Sequence, residues 1–165
     1  MRIDGADQSQ PGGRFMWLKK AAAGCSLWRT SAECDTFEGW HDGYTHLPDP
    51  VLHRRRIRLE KRNRRVVIED RLEMSGTHQV ELFFHCSEQC RVVADRDGYA
   101  LIRDGRTLSL QLPWVAGASA RIYYGSTAPV LGWISRHFDE KQPCPTIAWQ
   151  ARLKGEVVLR SEILC

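Results

Sequence analysis

The chain has 165 residues, a formal net charge of +4, 42% hydrophobic residues and 27% charged residues. That is enough for one folded domain with a core, 1–165, and it excludes a disordered polyelectrolyte. Arg54 to Arg65 carry eight positive charges and one negative, +7 in all, which leaves −3 for the other 153 residues of the +4 chain. The basic character is therefore local, a property of one face and not of the whole surface.

The opening segment, MRIDGADQSQPGG, lacks the apolar stretch of a secretory signal. No run approaches the ~20 apolar residues of a membrane-spanning helix. The sequence thus reads as a bacterial protein of the cytoplasm, or as a piece of a longer chain whose leader and periplasmic address lie elsewhere, with no membrane partner. Leu18 to Leu27 fits a short helix or a strand equally well.

From Val51 onward the dominant period is two, the mark of half-buried strands. Val51 to Glu60 is predicted as one strand, Lys61–Arg64 as a turn and Arg65 to Leu72 as the next strand. In the first strand His53, Arg55, Ile57 and Leu59 share one face, and Arg54, Arg56, Arg58 and Glu60 share the other. Val66, Ile68 and Leu72 face one way in the second, with Val67, Glu69 and Arg71 opposite. The three outward arginines, about 7 Å apart along the strand, form a candidate substrate-binding row with His53, partly neutralised by Glu69 as a cross-strand partner. Seven of the eight cations are Arg, the better fork for carboxylate or sulfate. The plainer reading is a solvated hairpin face.

HQVELFFH, RTLSLQLP, TIAWQARL and EVVLRSEIL continue the alternation, with turns at Ser75-Gly76, Asp97-Gly98, Asp104-Gly105 and Lys154-Gly155. The sum is an all-β fold without substantial helix, an antiparallel β-sandwich of two packed sheets. Six cysteines stand at irregular spacings. Cys86-x3-Cys90 beside His85 lacks a second ligand pair at workable spacing, so buried thiols near a turn, with no metal, is the reading.

His41 and Tyr44, separated by Asp42-Gly43 read as a turn, are the candidate acid/base pair; the alternative is a structural turn whose side chains bond to backbone. His53 belongs under the sheet by its parity, and His78 and His85 flank a strand as edge residues. His46 and His137 have no convincing partners. Trp40, Trp114, Trp133 and Trp149 serve as sugar platforms or as core. Nucleic acid is a poor partner, because a basic arm would not alternate with Ile57, Leu59, Val66 and Ile68, and no aromatic-rich stacking strand accompanies it.

Several pieces in order resemble the C-terminal sheet domain of the heparinase II/III-like polysaccharide lyases. They are Ile3-Asp4-Gly5-x-Asp7-Gln8-Ser9, His41-Asp42-Gly43-Tyr44, Pro50-Val51-x-His53-Arg54-Arg55, Ile68-Glu69-Asp70, Gly76-x-His78, Phe84-His85 and Gly132-Trp133-Ile134-Ser135. The resemblance covers nearly the whole chain. It implies a β-sandwich that follows an (α/α) toroid, an acidic polysaccharide such as alginate or a glycosaminoglycan as substrate, and β-elimination as the reaction. It also implies that the family's catalytic Tyr and His and its metal ligands lie upstream of this chain, so that no cofactor is expected here and the isolated chain is inactive. A stand-alone polyanion- or carbohydrate-binding module and a structural interaction domain are the alternatives. The lyase and interaction-domain readings predict a large apolar docking patch; the binding-module reading predicts a mostly polar surface with the arginine row open to solvent.

Overall fold

A computed structural model describes residues 1–13 and 15–165. The described residues form strands and no helix. In chain order these are β1 (Arg2–Ile3), β2 (Gln10–Gly13), β3 (Met16–Lys19), β4 (Ala23–Thr30), β5 (Cys34–Tyr44), β6 (Val51–Glu60), β7 (Arg65–Glu73), β8 (Thr77–His85), β9 (Arg91–Asp95), β10 (Gly98–Arg103), β11 (Arg106–Gln111), β12 (Ser119–Tyr124), β13 (Ser126–Thr127), β14 (Val130–Leu131), β15 (Trp133–Ile134), β16 (Gln142–Pro143), β17 (Pro145–Lys154) and β18 (Val157–Leu164). Leu18 to Leu27 is therefore strand, split between β3 and β4. No helix is long and apolar enough to cross a membrane.

Two antiparallel sheets of unequal width make the sandwich. The large one has eight strands in the order β4-β5-β6-β7-β18-β11-β10-β9, and the small one has four in the order β1-β8-β17-β12. Three two-stranded ribbons, β2-β3, β13-β14 and β15-β16, decorate them. The basic hairpin folds as its alternation requires, with Ile57 opposite Ile68 and Leu59 opposite Val66. Asp104-Gly105 turns with both residues at positive φ, 49° and 71°, the backbone that a two-residue hairpin with the right-handed strand twist demands.

The core lies between the sheets. Leu72 and Leu159 from the large sheet meet Val80, Leu82, Trp149, Ala151 and Leu153 from the small one, and Ile3, Tyr44 and Val51 close one end. Each fully buried aliphatic side chain here contributes about 1.5–3 kcal/mol of transfer free energy. Trp149 belongs to this core, and its indole N–H donates to the Pro113 carbonyl at 3.0 Å. Because eight strands face four, the inner face of β4 to β6 runs beyond the cover of the small sheet. There Trp28 and Leu59 are 73% and 38% exposed, and Trp28 meets Phe37 edge to face at 6.0 Å. β4 is one edge strand of the large sheet and β9 the other, and the pairing of β4 with β5 slips between Cys25 and Leu27.

His78, expected at an edge, is instead buried at 4% exposure. Its Nδ1 lies 2.6 Å from Asp4 and its Nε2 2.7 Å from Asp49. Asp49 also accepts the Gly76 N–H at 2.5 Å, and Asp4 accepts that of Gln79 at 2.8 Å. The clamp ties the turn after β1 and the β5–β6 loop to the start of β8. Burial lowers the His78 pKa, but its hydrogen bonds to Asp4 and Asp49 outweigh it and hold the value above the ordinary one. For Asp4, burial acts upward and is overcome by the His78 and Gln79 hydrogen bonds; for Asp49, the His78 bond leads, and both carboxyls end low. The histidine's contribution is full below its unfolded value, about 6.5, and disappears as pH rises through its raised folded value. The aspartates' contribution is full above about 4 and is lost on acidification. The clamp thus stabilises most between about pH 4 and 6.5. Thermal unfolding from about pH 5 to 9 is expected to show an alkaline fall in Tm that His78→Gln flattens; parallel pH profiles for the two proteins would disprove the coupling.

Candidate functional site

The two faces of β6 do different things. Outward, Arg54, Arg56 and Arg58 do not stand as free cations. Arg56 reaches Glu38 at 2.8 Å and Glu69 at 3.8 Å, Arg54 reaches Glu73 at 3.7 Å, and Arg58 reaches Glu60 at 3.6 Å. Neighbouring strands extend the pattern. Arg71 pairs with Glu73 and Glu156, Arg160 with Glu69 and Glu162, and Arg65 with Glu60 and Glu162. The six arginines 54, 56, 58, 65, 71 and 160 thus meet the six glutamates 38, 60, 69, 73, 156 and 162 in two ion-pair networks, one of Arg54, Arg71, Glu73 and Glu156 and one of the other eight. Each exposed pair is worth little alone, but together they cancel the charge that made the row notable in the sequence.

Inward, the same strand delivers His53 and Arg55 to Asp70 on β7. Asp70 is 1% exposed and accepts three hydrogen bonds: from His53 Nε2 at 2.6 Å, from Arg55 Nε at 2.7 Å and from Arg55 Nη2 at 3.1 Å. Burial raises the Asp70 pKa, and the bonds from His53 and Arg55 bring it below the ordinary value. A carboxylate this deep demands such partners, since an unpaired buried charge costs several kcal/mol.

The relay continues. His53 Nδ1 stands 2.7 Å from His41 Nε2, and the Gly43 N–H donates to His41 Nδ1 at 3.1 Å. That last bond fixes the tautomer: neutral His41 carries its proton on Nε2 and donates it to His53, which donates from Nε2 to Asp70. Burial, helped by the adjacent His53, holds the His41 pKa down at about 4, so the ring is neutral at neutral pH. Asp42-Gly43 is not a turn but an irregularity in the β5–β6 pairing. It does bring the His41 and Tyr44 rings together, 5.3 Å apart and edge to face. Tyr44 is nevertheless fully buried, its hydroxyl donates to the Met1 carbonyl at 2.7 Å, and burial pushes its pKa well up. Both His41 nitrogens and the Tyr44 hydroxyl thus have hydrogen-bond partners, and the two rings pack against each other. His53, 5% exposed with both ring nitrogens engaged, likewise has no donor left for a sugar.

Beside the relay lies a cavity of about 430 Å³, lined by Arg55, His41, Phe37, Cys25 and Ser9 among others. Gly39 is the cross-strand partner of Arg55, and a Cβ at Gly39 would come within 2.7 Å of the Phe37 ring. The glycine lets that ring lie over the strand, in the space that a side chain opposite Arg55 would take. Sequence reasoning passed over Arg55, Asp70 and Gly39 as site residues. The available signal was parity, which places Asp70 with Ile68 and Leu72 and Arg55 with His53 and Ile57.

Elsewhere, Cys86, Cys90 and Cys144 are free thiols, and burial, with Cys90 and Cys144 nearby, pushes Cys86 up to about 11. His85 lies 3.0 Å from Thr146. Trp133 donates to the Ser126 carbonyl at 2.8 Å beneath Lys141, whereas Trp114 is 91% exposed and Trp40 36%. Asp70→Asn is expected to cost about 1–3 kcal/mol, because a buried amide then replaces the carboxylate that accepts from His53 and Arg55; denaturant unfolding checks it, and a loss below about 0.5 kcal/mol would mean that the relay does not support the fold.

Comparisons with known proteins agree with this architecture. The family model described as "Heparinase II/III-like, C-terminal" matches residues 1–161. The heparan sulfate lyase HepC from Pedobacter heparinus superposes with a TM-score of 0.71 at 17% identity, covering 88% of this chain and 22% of that one. The heparinase III BT4657 gene product gives 0.67 at 17% identity over 86% and 21%. A further heparinase III structure gives 0.70 at 14% identity over 98% and 23%. At such identities the likeness speaks for the fold, and the chain spans about a fifth of the length of each of these structures. A search among curated proteins finds no match. The chain belongs to the heparinase II/III-like C-terminal family.

Proposed function

We propose that residues 1–165 are the C-terminal β-sandwich of a polysaccharide lyase that acts by β-elimination on an acidic, uronate-containing polysaccharide. The chain supplies scaffold and one wall of the cleft, and it does no chemistry alone. The carrying observation is the family match over residues 1–161 by a chain that spans only 22% of a heparan sulfate lyase. In β-elimination a base removes the proton beside the uronate carboxyl, that carboxyl's charge is neutralised, and an acid protonates the departing oxygen. The hydrogen bonds that engage the polar atoms of His41 and Tyr44 favour a base and an acid supplied from elsewhere. The groups for those steps belong to an (α/α) toroid domain elsewhere in a longer chain. The overhanging inner face with exposed Trp28 and Leu59 is the apolar surface that such a domain would cover.

The binding-module reading needs an arginine row open to solvent, and the row's pairing with glutamates argues against it. The Arg54, Arg56 and Arg58 row contributes at most a weak, salt-screened contact to the polysaccharide.

The first test is the in-frame DNA immediately upstream of the Met1 codon. A continuous frame encoding a helical toroid is expected. A stop codon close upstream would overturn the lyase reading and leave a solitary sandwich. The purified chain is further expected to produce no unsaturated uronate from heparan sulfate or alginate, read by ultraviolet absorbance; turnover by the chain alone would overturn the scaffold role. On a heparin column the wild-type protein is expected to elute at low salt, and Glu38→Gln combined with Glu69→Gln at higher salt, because Arg56 is then unmasked. Unchanged elution would show that these glutamates do not mask the row.

A further inference from the structure

We infer that the cavity between Arg55, Phe37 and His41 is a subsite for one acidic sugar unit, whose carboxylate or sulfate oxygen is taken by the free N–H groups of Arg55. The inference rests on the acidic-polysaccharide reading above and adds to it a location and a set of contacts.

Four features converge on this assignment. Arg55 is anchored: Nε and Nη2 hold Asp70, which leaves three of its five N–H donors unassigned, and its side chain remains 40% exposed. A guanidinium already immobilised on one side loses little rotamer freedom on binding a second oxyanion. Its cross-strand neighbour is Gly39, whose missing side chain makes room for the Phe37 ring, and the guanidinium and the ring line the same cavity. A flat apolar ring beside an anchored cation suits a pyranose, which presents C–H groups on one face and an anionic substituent at its rim. The rest of the wall is mixed, with Ala21, Ala23 and Trp40 beside two polar residues: His41 is held neutral, and Ser9 Oγ accepts the Ala21 N–H at 3.0 Å, leaving its own proton to donate. The volume of about 430 Å³ falls within the range of small-ligand pockets. The outward row, by contrast, meets an approaching anion with a glutamate beside every arginine.

The test uses the whole chain and three tetrasaccharides: an unsulfated one containing glucuronate, a heparin-derived sulfated one and a neutral cellotetraose. Calorimetric titration is expected to show binding of the acidic probes and none of the neutral one. Binding of the unsulfated probe assigns the carboxylate to Arg55, and binding of the sulfated probe alone assigns a sulfate. Arg55→Lys, which keeps the charge but loses the fork, is expected to weaken binding about tenfold or more, and Phe37→Ala to weaken it as well. Arg56→Gln combined with Glu38→Gln, neutral in net charge, is expected to leave affinity within about twofold. Because Arg55 also supports Asp70, amide chemical shifts of the wild-type protein give a readout free of variants, with the largest changes expected at Gly39 and His41. Shifts confined to other surfaces, equal binding of cellotetraose, or no binding of either acidic probe would overturn the subsite. An acidic probe bound elsewhere leaves the lyase reading standing. A stop codon upstream with binding in this cavity would overturn the lyase and leave the subsite.

Discussion

One buried carboxylate organises the end of the sandwich where a ligand can enter. Asp70 sits at 1% exposure in a position where the strand pattern would otherwise place an aliphatic residue, and its charge must be met on the spot. Arg55 and His53 meet it, His41 completes His53, and the Gly43 N–H completes His41. No link can be removed without leaving a polar group unpaired in a low-dielectric setting. The geometry of the cavity follows from this requirement, since the residue that neutralises Asp70 is also the one that reaches the opening.

The two faces of β6 show how similar residues acquire different uses. Arg54, Arg56 and Arg58 lie in water among glutamates, where each pair contributes little and salt weakens it further. Arg55, one residue away in sequence but on the other side of the sheet, is fixed by a buried partner and has free donors beside an aromatic ring. Density of charge marks the first group, and burial with one open side marks the second. For recognition of a single anionic substituent the second arrangement is the stronger, because preorganisation lowers the ordering cost of binding.

Much of the fold was legible in the sequence. The hairpin from Val51 to Glu60 and from Arg65 onward, the Lys61–Arg64 turn and the inward set Val80, Leu82 and Phe84 all follow from period-two alternation and turn residues. What alternation could not reveal is which strands from distant parts of the chain become neighbours. Glu156, Arg160 and Glu162 face the arginine row only because β18 inserts beside β7, so their part of the neutralisation was invisible, whereas Glu60 and Glu69 on the hairpin itself were legible. His78 looked like an edge residue because its partners, Asp4 and Asp49, lie 74 and 29 positions away. Asp42-Gly43 carried the composition of a turn, yet the chain continues through it as an irregular strand. The inward Asp70 was readable by parity, but its meaning depends on having Arg55 and His53 at the same depth.

The slipped pairing at the β4 edge of the large sheet has a consequence of its own. A straight outer strand displays a regular row of backbone donors and acceptors, an invitation for another molecule to add a strand of its own. Between Cys25 and Leu27 the ladder on β4 loses step, and Ser26 turns its hydroxyl back to the Glu38 carbonyl at 3.2 Å. The row is thereby broken near its middle and its twist altered. A single extra residue on this edge thus acts against edge-to-edge polymerisation.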